Sequence, residues 1–392
     1  MQNLTNFIRS TFQEPQDFIP LHDPRFIGNE VRYMEECIKS NFVSSVGAFV
    51  AQFEKMCAEY SGAKYAIAAM NGTAALHIAL QLVGVKQDEE VLTQALTFIA
   101  TANAISYTGA KPVFLDVDRD TMGLSPKAVE AWLRENAEMR LLPADSSRQP
   151  FNKHTNHRIA ACVPMHTFGH PVKLDELMEV LAKYNIPLIE DAAESIGSYY
   201  KGKHTGTFGK MGILSFNGNK VITTGGGGMI LTDDEELAKM AKHLTTQAKV
   251  PHAWEFVHDH VGYNYRLTNV AAALGCAQME SLDHLLSLKR NLAEKYKEFF
   301  KDSEFEFFAE PENCKSNYWL NVILTKDKVQ RDEILEFTNK SGVMTRPIWE
   351  LMNRLPMFKD CQTDSLENSI WFADRVVNIP SSAIIPGYRK NL

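Results

Sequence analysis

The sequence lacks the features that would place this protein across a membrane or on a nucleic acid. Its 392 residues contain no uninterrupted apolar run of about 18 residues, the length of a membrane-spanning helix. Acidic residues outnumber basic ones by 48 to 41, and the resulting net charge of −7 argues against nucleic-acid binding as the main task. Residues 1–18 carry charges throughout and so lack the apolar core of a signal peptide.

Cysteine and histidine also lack any pattern of paired ligands. The six cysteines form no Cys-x-x-Cys pair, and the 12 histidines include no His-Glu-x-x-His motif. We therefore expect neither a disulfide framework nor a metal site. Scattered thiols of this kind are typical of a reduced, cytoplasmic protein.

Short apolar segments alternate with helical patterns between residues 66 and 230. This alternation predicts an α/β fold with a mainly parallel central sheet and helices on both faces. The predicted strands are residues 66–70, 90–93, 111–116, 159–163, 186–190, 212–216 and 228–232. Residues 134–158 are polar and poorly periodic, which indicates an insertion loop.

The length of the chain and a long helical pattern at about residues 270–300 predict two domains. We expect an N-terminal segment at residues 1–25 and a large α/β domain at residues 26–275. A smaller C-terminal α+β domain is expected at residues 276–392.

Lys220 lies in a turn rich in glycine and asparagine, just ahead of four consecutive glycines. Such a turn lets a lysine approach a ligand without bulky neighbours, although an exposed loop is the ordinary place for a single lysine. A primary amine can hold an aldehyde cofactor as a Schiff base. Whether Lys220 does so depends on three other segments.

The first of these segments is a strand–turn–helix junction at residues 71–73. Gly72 lets the backbone approach an anion closely, the first N–H groups of the helix point towards that anion, and the Thr73 hydroxyl adds a donor. An ordinary helix N-cap would have the same sequence.

The other two segments supply an acid and an aromatic ring. Asp191 follows a predicted strand, at the sheet edge where α/β proteins bind ligands, and a carboxylate there could pair with a protonated pyridine nitrogen. Glu190 competes for this role but alternates to the opposite side of the strand end. Phe98 could stack on a flat ring or belong to the core. Together with Lys220 and the anion cradle, these residues predict a site for pyridoxal phosphate (PLP).

Four segments in this order resemble the DegT/DnrJ/EryC1/StrS sugar aminotransferases, which are fold-type I PLP-dependent transferases. The segments read NGTAAL, EDAAE, SFNGNK with its glycine-rich tail, and GYNYR. The resemblance covers nearly the full length. It implies that Lys220 forms the Schiff base and moves protons, that Asp191 pairs with the pyridinium, and that Phe98 stacks on the ring.

The same resemblance assigns the remaining site residues. It implies that Gly72, Thr73 and Ser215 hold the phosphate and that Glu194 lies near the phenolic oxygen of the cofactor. Asn264 would reach the phosphate of the other subunit, so the protein is expected to be a homodimer with shared sites. Independently of the resemblance, Arg346 is a candidate anchor for substrate anions, with a surface arginine as the alternative.

Within this family, residues 17–26 and 41–47 look most like the LegC-type branch. That likeness implies transfer of an amino group from L-glutamate to the C4 keto group of a 4-keto-6-deoxy-N-acetylhexosamine linked to UDP or GDP. The product would enter legionaminic acid or bacillosamine-type sugars of cell-surface polysaccharides. Amination at C3 stays open.

Two further interpretations have a different chemistry. PLP-dependent deoxysugar dehydratases resemble these enzymes but carry histidine in place of the Schiff-base lysine, so Lys220 argues against them. A non-catalytic sugar-nucleotide-binding protein would not need all four parts of the site.

Overall fold

The computed structural model describes residues 1–141 and 147–388. The α-helices of these residues are α1 Gln2–Phe12, α2 Glu30–Ser40, α3 Ala48–Ser61, α4 Gly72–Leu82, α5 Ile99–Tyr107, α6 Pro126–Asn136, α7 Leu174–Lys183, α8 Glu235–Thr245, α9 Asn269–Phe300, α10 Lys328–Lys340 and α11 Glu367–Ala373. Their strands are β1 Tyr65–Ala69, β2 Glu90–Gln94, β3 Lys111–Leu115, β4 Ala137–Leu141, β5 Arg148–Asn152, β6 Ile159–Val163, β7 Ile189–Asp191, β8 Tyr199–Tyr200, β9 Lys203–His204, β10 Met211–Ser215, β11 Gly228–Thr232, β12 Glu306–Phe307, β13 Cys314–Lys315, β14 Asn321–Leu324, β15 Arg346–Pro347 and β16 Val376–Ile379.

Seven strands form the central layer in the order β3-β2-β6-β7-β10-β11-β1. Hydrogen-bonded ladders join β3-β2-β6 and β7-β10-β11-β1. Parallel bridges between Cys162 and Leu188 and between Met165 and Asp191 connect the two groups. Every neighbouring pair is parallel except those of β11, which runs antiparallel to β10 and β1 and pairs Gly228 with Ser215. The predicted mainly parallel sheet is confirmed.

Burial explains why this sheet is visible in the sequence. All five residues of β2, β6 and β10 are buried, as expected for strands covered by helices on both faces. The apolar, alanine-rich helix α4 is buried along residues 74–80 and packs against α5, β11 and α8. Small side chains let this helix lie close to the sheet.

Two segments differ from their predicted structure. The strand predicted at residues 186–190 forms only at Ile189–Asp191, since Pro187 has no N–H to donate to a ladder. The insertion loop predicted at residues 134–158 is wrong in part, because β4 and β5 pair there as an antiparallel ribbon. Asn152 fixes this ribbon by donating to the buried Glu90 carboxylate at 2.8 Å. Residues 142–146 of the predicted loop lie outside the described residues.

The helix α9 is 32 residues long and matches the helix predicted at about residues 270–300. It leads to a second sheet, in which β12, β14, β16 and β15 pair antiparallel. The predicted boundary at residue 276 falls within α9, and the division of the chain into domains stays a prediction.

Two expectations from composition are also addressed by the structure. All six cysteines are unpaired, and four of them are buried. Among the described helices, none has the length and apolar character required to cross a membrane.

Candidate active site

The carboxyl ends of β1, β7 and β10 lie at one edge of the central sheet, where α4 begins. A Cβ added to Gly72 would lie 3.1 Å from the Cβ of Ser215, and one added to Gly228 would lie 2.8 Å from the nitrogen of Gly72. Gly228 therefore has no room for a side chain beside the turn, and a side chain at position 72 would crowd Ser215. The arrangement brings Gly72 and Ser215 together, two of the residues predicted to hold the phosphate.

Asn71 caps α4 and leaves the next two residues free to bind a ligand. Its side chain accepts a hydrogen bond from the N–H of Ala74 at 2.7 Å, and its carbonyl accepts one from Ala75 at 3.1 Å. Within residues 1–141 and 147–388, no acceptor is found for the N–H groups of Gly72 and Thr73. These two N–H groups at a helix start form a cradle that fits a phosphate group.

Asp191 is buried at the end of β7. Its Oδ2 accepts a hydrogen bond from Thr101 Oγ1 at 2.7 Å, and its Oδ1 accepts one from the N–H of Ala193 at 3.2 Å. Burial raises the pKa of Asp191, and these two bonds and the nearby charge of Lys220 oppose the rise. Because the described residues give Asp191 no ion pair, a protonated ring nitrogen fits this position.

Glu190 points to the other side of the strand end, as the alternation predicts. Its carboxylate accepts hydrogen bonds from three N–H groups of the 206–209 turn, at 2.6 to 2.9 Å. The Nε2 of buried His166 lies 3.1 Å from Glu190 Oε2. Burial alone would raise the pKa of Glu190, but these hydrogen bonds outweigh it and lower the pKa. Glu190 therefore has partners of its own that hold a turn in place.

Lys220 lies inside this edge and not on an exposed loop. Its Nζ is 3.3 Å from Oε1 of Glu194 and 3.8 Å from the ring centroid of Trp319. The side chain is only 12% exposed. The second oxygen of Glu194 accepts a hydrogen bond from the N–H of Phe168 at 2.9 Å. Burial raises the pKa of Glu194 to about 7, although the charge of Lys220 acts in the opposite direction.

Aromatic side chains form a wall of the site. Phe98 precedes α5 and is 47% exposed, so it is not a core residue. Its ring centroid lies 6.0 Å from that of Trp349, which lies 5.0 Å from that of Phe168. Phe168 has a φ of 56°, an uncommon left-handed conformation for an aromatic residue. In this conformation its backbone N–H donates the hydrogen bond to Glu194.

Two predicted residues lie apart from this cluster. Asn264 is exposed and accepts a weak hydrogen bond from Arg266 at 3.4 Å. Arg346 is also exposed and donates to Asn339 Oδ1 and to the carbonyl of Thr345, both at 3.0 Å. No contact joins Asn264 or Arg346 to Lys220 or Asp191 in the described part of the chain.

Four residues of this region were missed by the sequence reasoning: Thr101, Phe168, Trp319 and Trp349. Thr101 follows Phe98 by three positions, so the helical spacing of α5 could have indicated it. Trp319 and Trp349 come from beyond α9, and no sequence signal connects them to Lys220.

Three potential metal ligands lie outside this region, near the surface. Ligand atoms of His243, Asp259 and His260 lie within 4.8 Å of one another. Asp259 already bonds to both histidines, at 2.6 and 2.9 Å. The absence of a metal site stays a prediction.

The sequence matches the DegT/DnrJ/EryC1/StrS aminotransferase family over residues 25–386. It is 36% identical over 365 residues to a GDP-perosamine synthase of Escherichia coli O157:H7, covering 93% of each chain. A GDP-perosamine synthase of Caulobacter vibrioides is 34% identical over 365 residues, covering 92% of this chain and 92% of that one. Among solved structures, the aminotransferase TlmJ from Streptoalloteichus hindustanus is similar, with a TM-score of 0.82, 26% identity and 93% of each chain covered.

Proposed function

Because the chain belongs to the DegT/DnrJ/EryC1/StrS aminotransferase family and is a PLP-dependent sugar aminotransferase, we propose that it aminates C4 of a nucleotide-linked 4-keto-6-deoxyhexose. The proposed donor is L-glutamate, and the proposed acceptor is a 4-keto-6-deoxy-N-acetylhexosamine. The likeness of residues 17–26 and 41–47 to the LegC-type branch supports the acetamido group and a product used for legionaminic acid or bacillosamine-type sugars. The similarity to GDP-perosamine synthases supports GDP over UDP as the nucleotide.

The observation that carries this proposal is the position of Lys220. Its largely buried amine lies at the edge where Asp191 and the start of α4 also lie. When bound, PLP supplies an aldehyde and an electron sink. We assign to Lys220 the covalent attachment of the cofactor and the movement of a proton between substrate and cofactor carbons. Asp191 would keep the ring nitrogen protonated, because an ionised carboxylate stabilises a cation beside it.

The resemblance to the family supports the remaining assignments. Gly72, Thr73 and Ser215 would bind the phosphate, and Phe98 would cover one face of the ring. Glu194 would lie beside the phenolic oxygen, on the side of the site occupied by Lys220. We keep Arg346 as a candidate for substrate anions, since its exposed guanidinium can leave Asn339 at little cost.

We further infer that the protein acts as a homodimer with shared sites. The segment that leads to Asn264 exposes large apolar side chains: Trp254 is 76% exposed, Phe256 80% and Val261 84%. Exposed apolar patches of this kind mark interaction surfaces. A second copy of the chain would cover them and would allow Asn264 of the partner subunit to reach the phosphate.

A substrate panel tests the proposed function. The enzyme is incubated with L-glutamate and, separately, UDP- and GDP-linked 4-keto-6-deoxy-N-acetylhexosamine, a GDP-linked 4-keto-6-deoxyhexose and a nucleotide-linked 3-keto sugar. Release of 2-oxoglutarate is measured, and the sugar product is identified by mass spectrometry and NMR. We expect amination at C4, with the N-acetylated acceptor preferred.

Other outcomes would identify the alternatives. Amination only at C3 would replace the proposed regiochemistry, and a deoxygenated sugar that carries no new amino group would indicate a dehydratase. Lys220→Ala is expected to give no product while remaining folded by circular dichroism. Lys210→Ala is the matched control, since the exposed Lys210 precedes the same strand, β10, and among the described residues only its backbone forms hydrogen bonds.

A further inference from the structure

Trp319 reaches Lys220 from a distant part of the chain. It lies just before β14, beyond α9, and yet its ring centroid is 3.8 Å from the Nζ of Lys220. This distance is well within the range at which an ammonium group is attracted to an aromatic face. Trp319 is only 5% exposed, so little water competes for the interaction.

Three hydrogen bonds hold Trp319 in place, two through its backbone and one through its ring. Its backbone N–H donates to Asn317 Oδ1 at 2.8 Å, and its indole Nε1 donates to the carbonyl of Asn219 at 2.7 Å. Its carbonyl accepts a hydrogen bond from Lys289 Nζ at 3.1 Å. Because Asn219 immediately precedes Lys220, the indole N–H joins the ring to the backbone that carries the lysine.

Asn317 also connects Trp319 to Glu194, the other group in contact with Lys220. The Asn317 side chain donates to the carbonyls of Glu194 and Ile196, both at 2.9 Å. Asn317 is fully buried, and a Cβ on the neighbouring Gly169 would lie only 1.9 Å from its Oδ1. One side-chain amide therefore holds both walls of the space around the Lys220 amine.

Lys289 also supports the backbone of Trp319. It is fully buried in α9 and donates to the carbonyl of Ser381 at 2.6 Å as well as to that of Trp319. Burial lowers the pKa of Lys289 well below its usual value. Within the described residues it forms no ion pair, so its polar contacts are to backbone carbonyls.

We propose that Trp319 is a positioning residue for Lys220. Together with the Glu194 carboxylate, the Trp319 ring holds the free ε-ammonium group in the site, so that the amine stays in place whenever it is not bonded to the cofactor. This inference rests on the proposed function only in taking Lys220 as the lysine that the cofactor uses. The titratable groups that face Lys220 are Glu194, Asp191 and His22.

The test measures how the full-length, cofactor-free chain takes up PLP at different pH values, from the growth of the visible absorbance band. Trp319→Leu removes the aromatic face, and Trp319→Phe keeps a face that attracts cations less strongly. Loss of the ring removes an attraction that favours the ammonium form over the neutral amine. The pH at which the uptake rate is half-maximal is therefore expected to be lower in the leucine variant by roughly 0.5–1.5 pH units. The phenylalanine variant should show a smaller shift in the same direction.

The control is Trp132→Phe, because Trp132 in α6 is also 5% exposed and packs in a different core cluster. A purely structural role would lower the melting temperature of the Trp319 variants and leave their pH profile unchanged. Repeating the series with Glu194→Gln separates the effect of the ring from the titration of Glu194. If circular dichroism shows that the leucine variant does not fold, the shift of the phenylalanine variant decides whether the inference holds.

The inference is overturned if both Trp319 variants share the wild-type profile, or if Trp132→Phe shifts it equally. Failure of the proposed function gives a different result. In that case Lys220→Ala would take up PLP with the same visible band as the wild-type chain.

Discussion

Replacing Thr101 by valine removes one hydrogen bond from Asp191 and keeps the shape of the side chain. Thr101 Oγ1 donates to Asp191 Oδ2 at 2.7 Å, and both residues are buried. The bond from the N–H of Ala193 to the other oxygen is unaffected. The substitution therefore removes one of two donors that favour the ionised carboxylate.

The size of the effect follows from the charge on the acceptor. A hydrogen bond to a charged group contributes about 1.5–3 kcal/mol. Asp191 must be ionised to pair with a protonated ring nitrogen, so the loss falls mainly on the cofactor-bound state. At about 1.4 kcal/mol for each factor of ten, the Kd for PLP should rise roughly 10- to 150-fold.

The assay is an absorbance titration of the cofactor-free Thr101→Val chain with PLP. Thr93→Val is the matched control, since buried Thr93 donates at 2.7 Å to the neutral carbonyl of Val163. That variant should lose about 0.5–1.5 kcal/mol of unfolding free energy and keep the wild-type Kd. An unchanged Kd in Thr101→Val, or an equal increase in Thr93→Val, would refute the reasoning.

Three further substitutions test other parts of the site. Asp191→Asn leaves the ring nitrogen without its anionic partner, a loss of about 3–5 kcal/mol. The kcat should therefore fall at least about 100-fold, and a near-normal kcat would mean that another acid has this role. Glu194 has a pKa of about 7 in the folded chain because of burial, above the ordinary value of 4.5, so the stability of the cofactor-free chain should fall as the pH rises through this window. Glu194→Gln should remove that slope from the melting temperature measured against pH, and a persistent slope would contradict the assignment. Mixed dimers of Lys220→Ala and Asn264→Ala chains should regain part of the activity if sites are shared between subunits, whereas no recovery would count against the shared site.

The central sheet and the positions of Gly72 and Asp191 were predictable because both depend on local patterns. Strands such as β2 and β6 are buried on both faces and therefore appear in the sequence as apolar runs. Gly72 and Asp191 each follow a strand, and the carboxyl ends of parallel strands meet at one edge. Their meeting in space thus follows from the order of the elements.

The rest of the site depends on tertiary packing that no local pattern encodes. Trp319 is brought to Lys220 by the packing of α9 and by the side-chain hydrogen bonds of Asn317, which join residues more than 100 positions apart. The ribbon of β4 and β5 is held by Asn152, whose buried contact with Glu90 cannot be read from periodicity. The different orientations of Asp191 and Glu190 were predictable from strand alternation, but the hydrogen bond from Thr101 to Asp191 was not.

The direction of β11 has a consequence for how this protein could be altered. Because β11 is antiparallel to β10, residues 216–227 form a hairpin connection between them. This connection begins after Ser215 and ends before Gly228, and these two residues pair with each other in the sheet. If β11 were parallel to β10, the chain would have to cross back over one face of the sheet before β11 could begin. Lys220 therefore lies on a loop whose length can be changed without changing the register of the strands. Shortening or lengthening this loop would change how far the Lys220 amine extends into the site and would preserve the sheet.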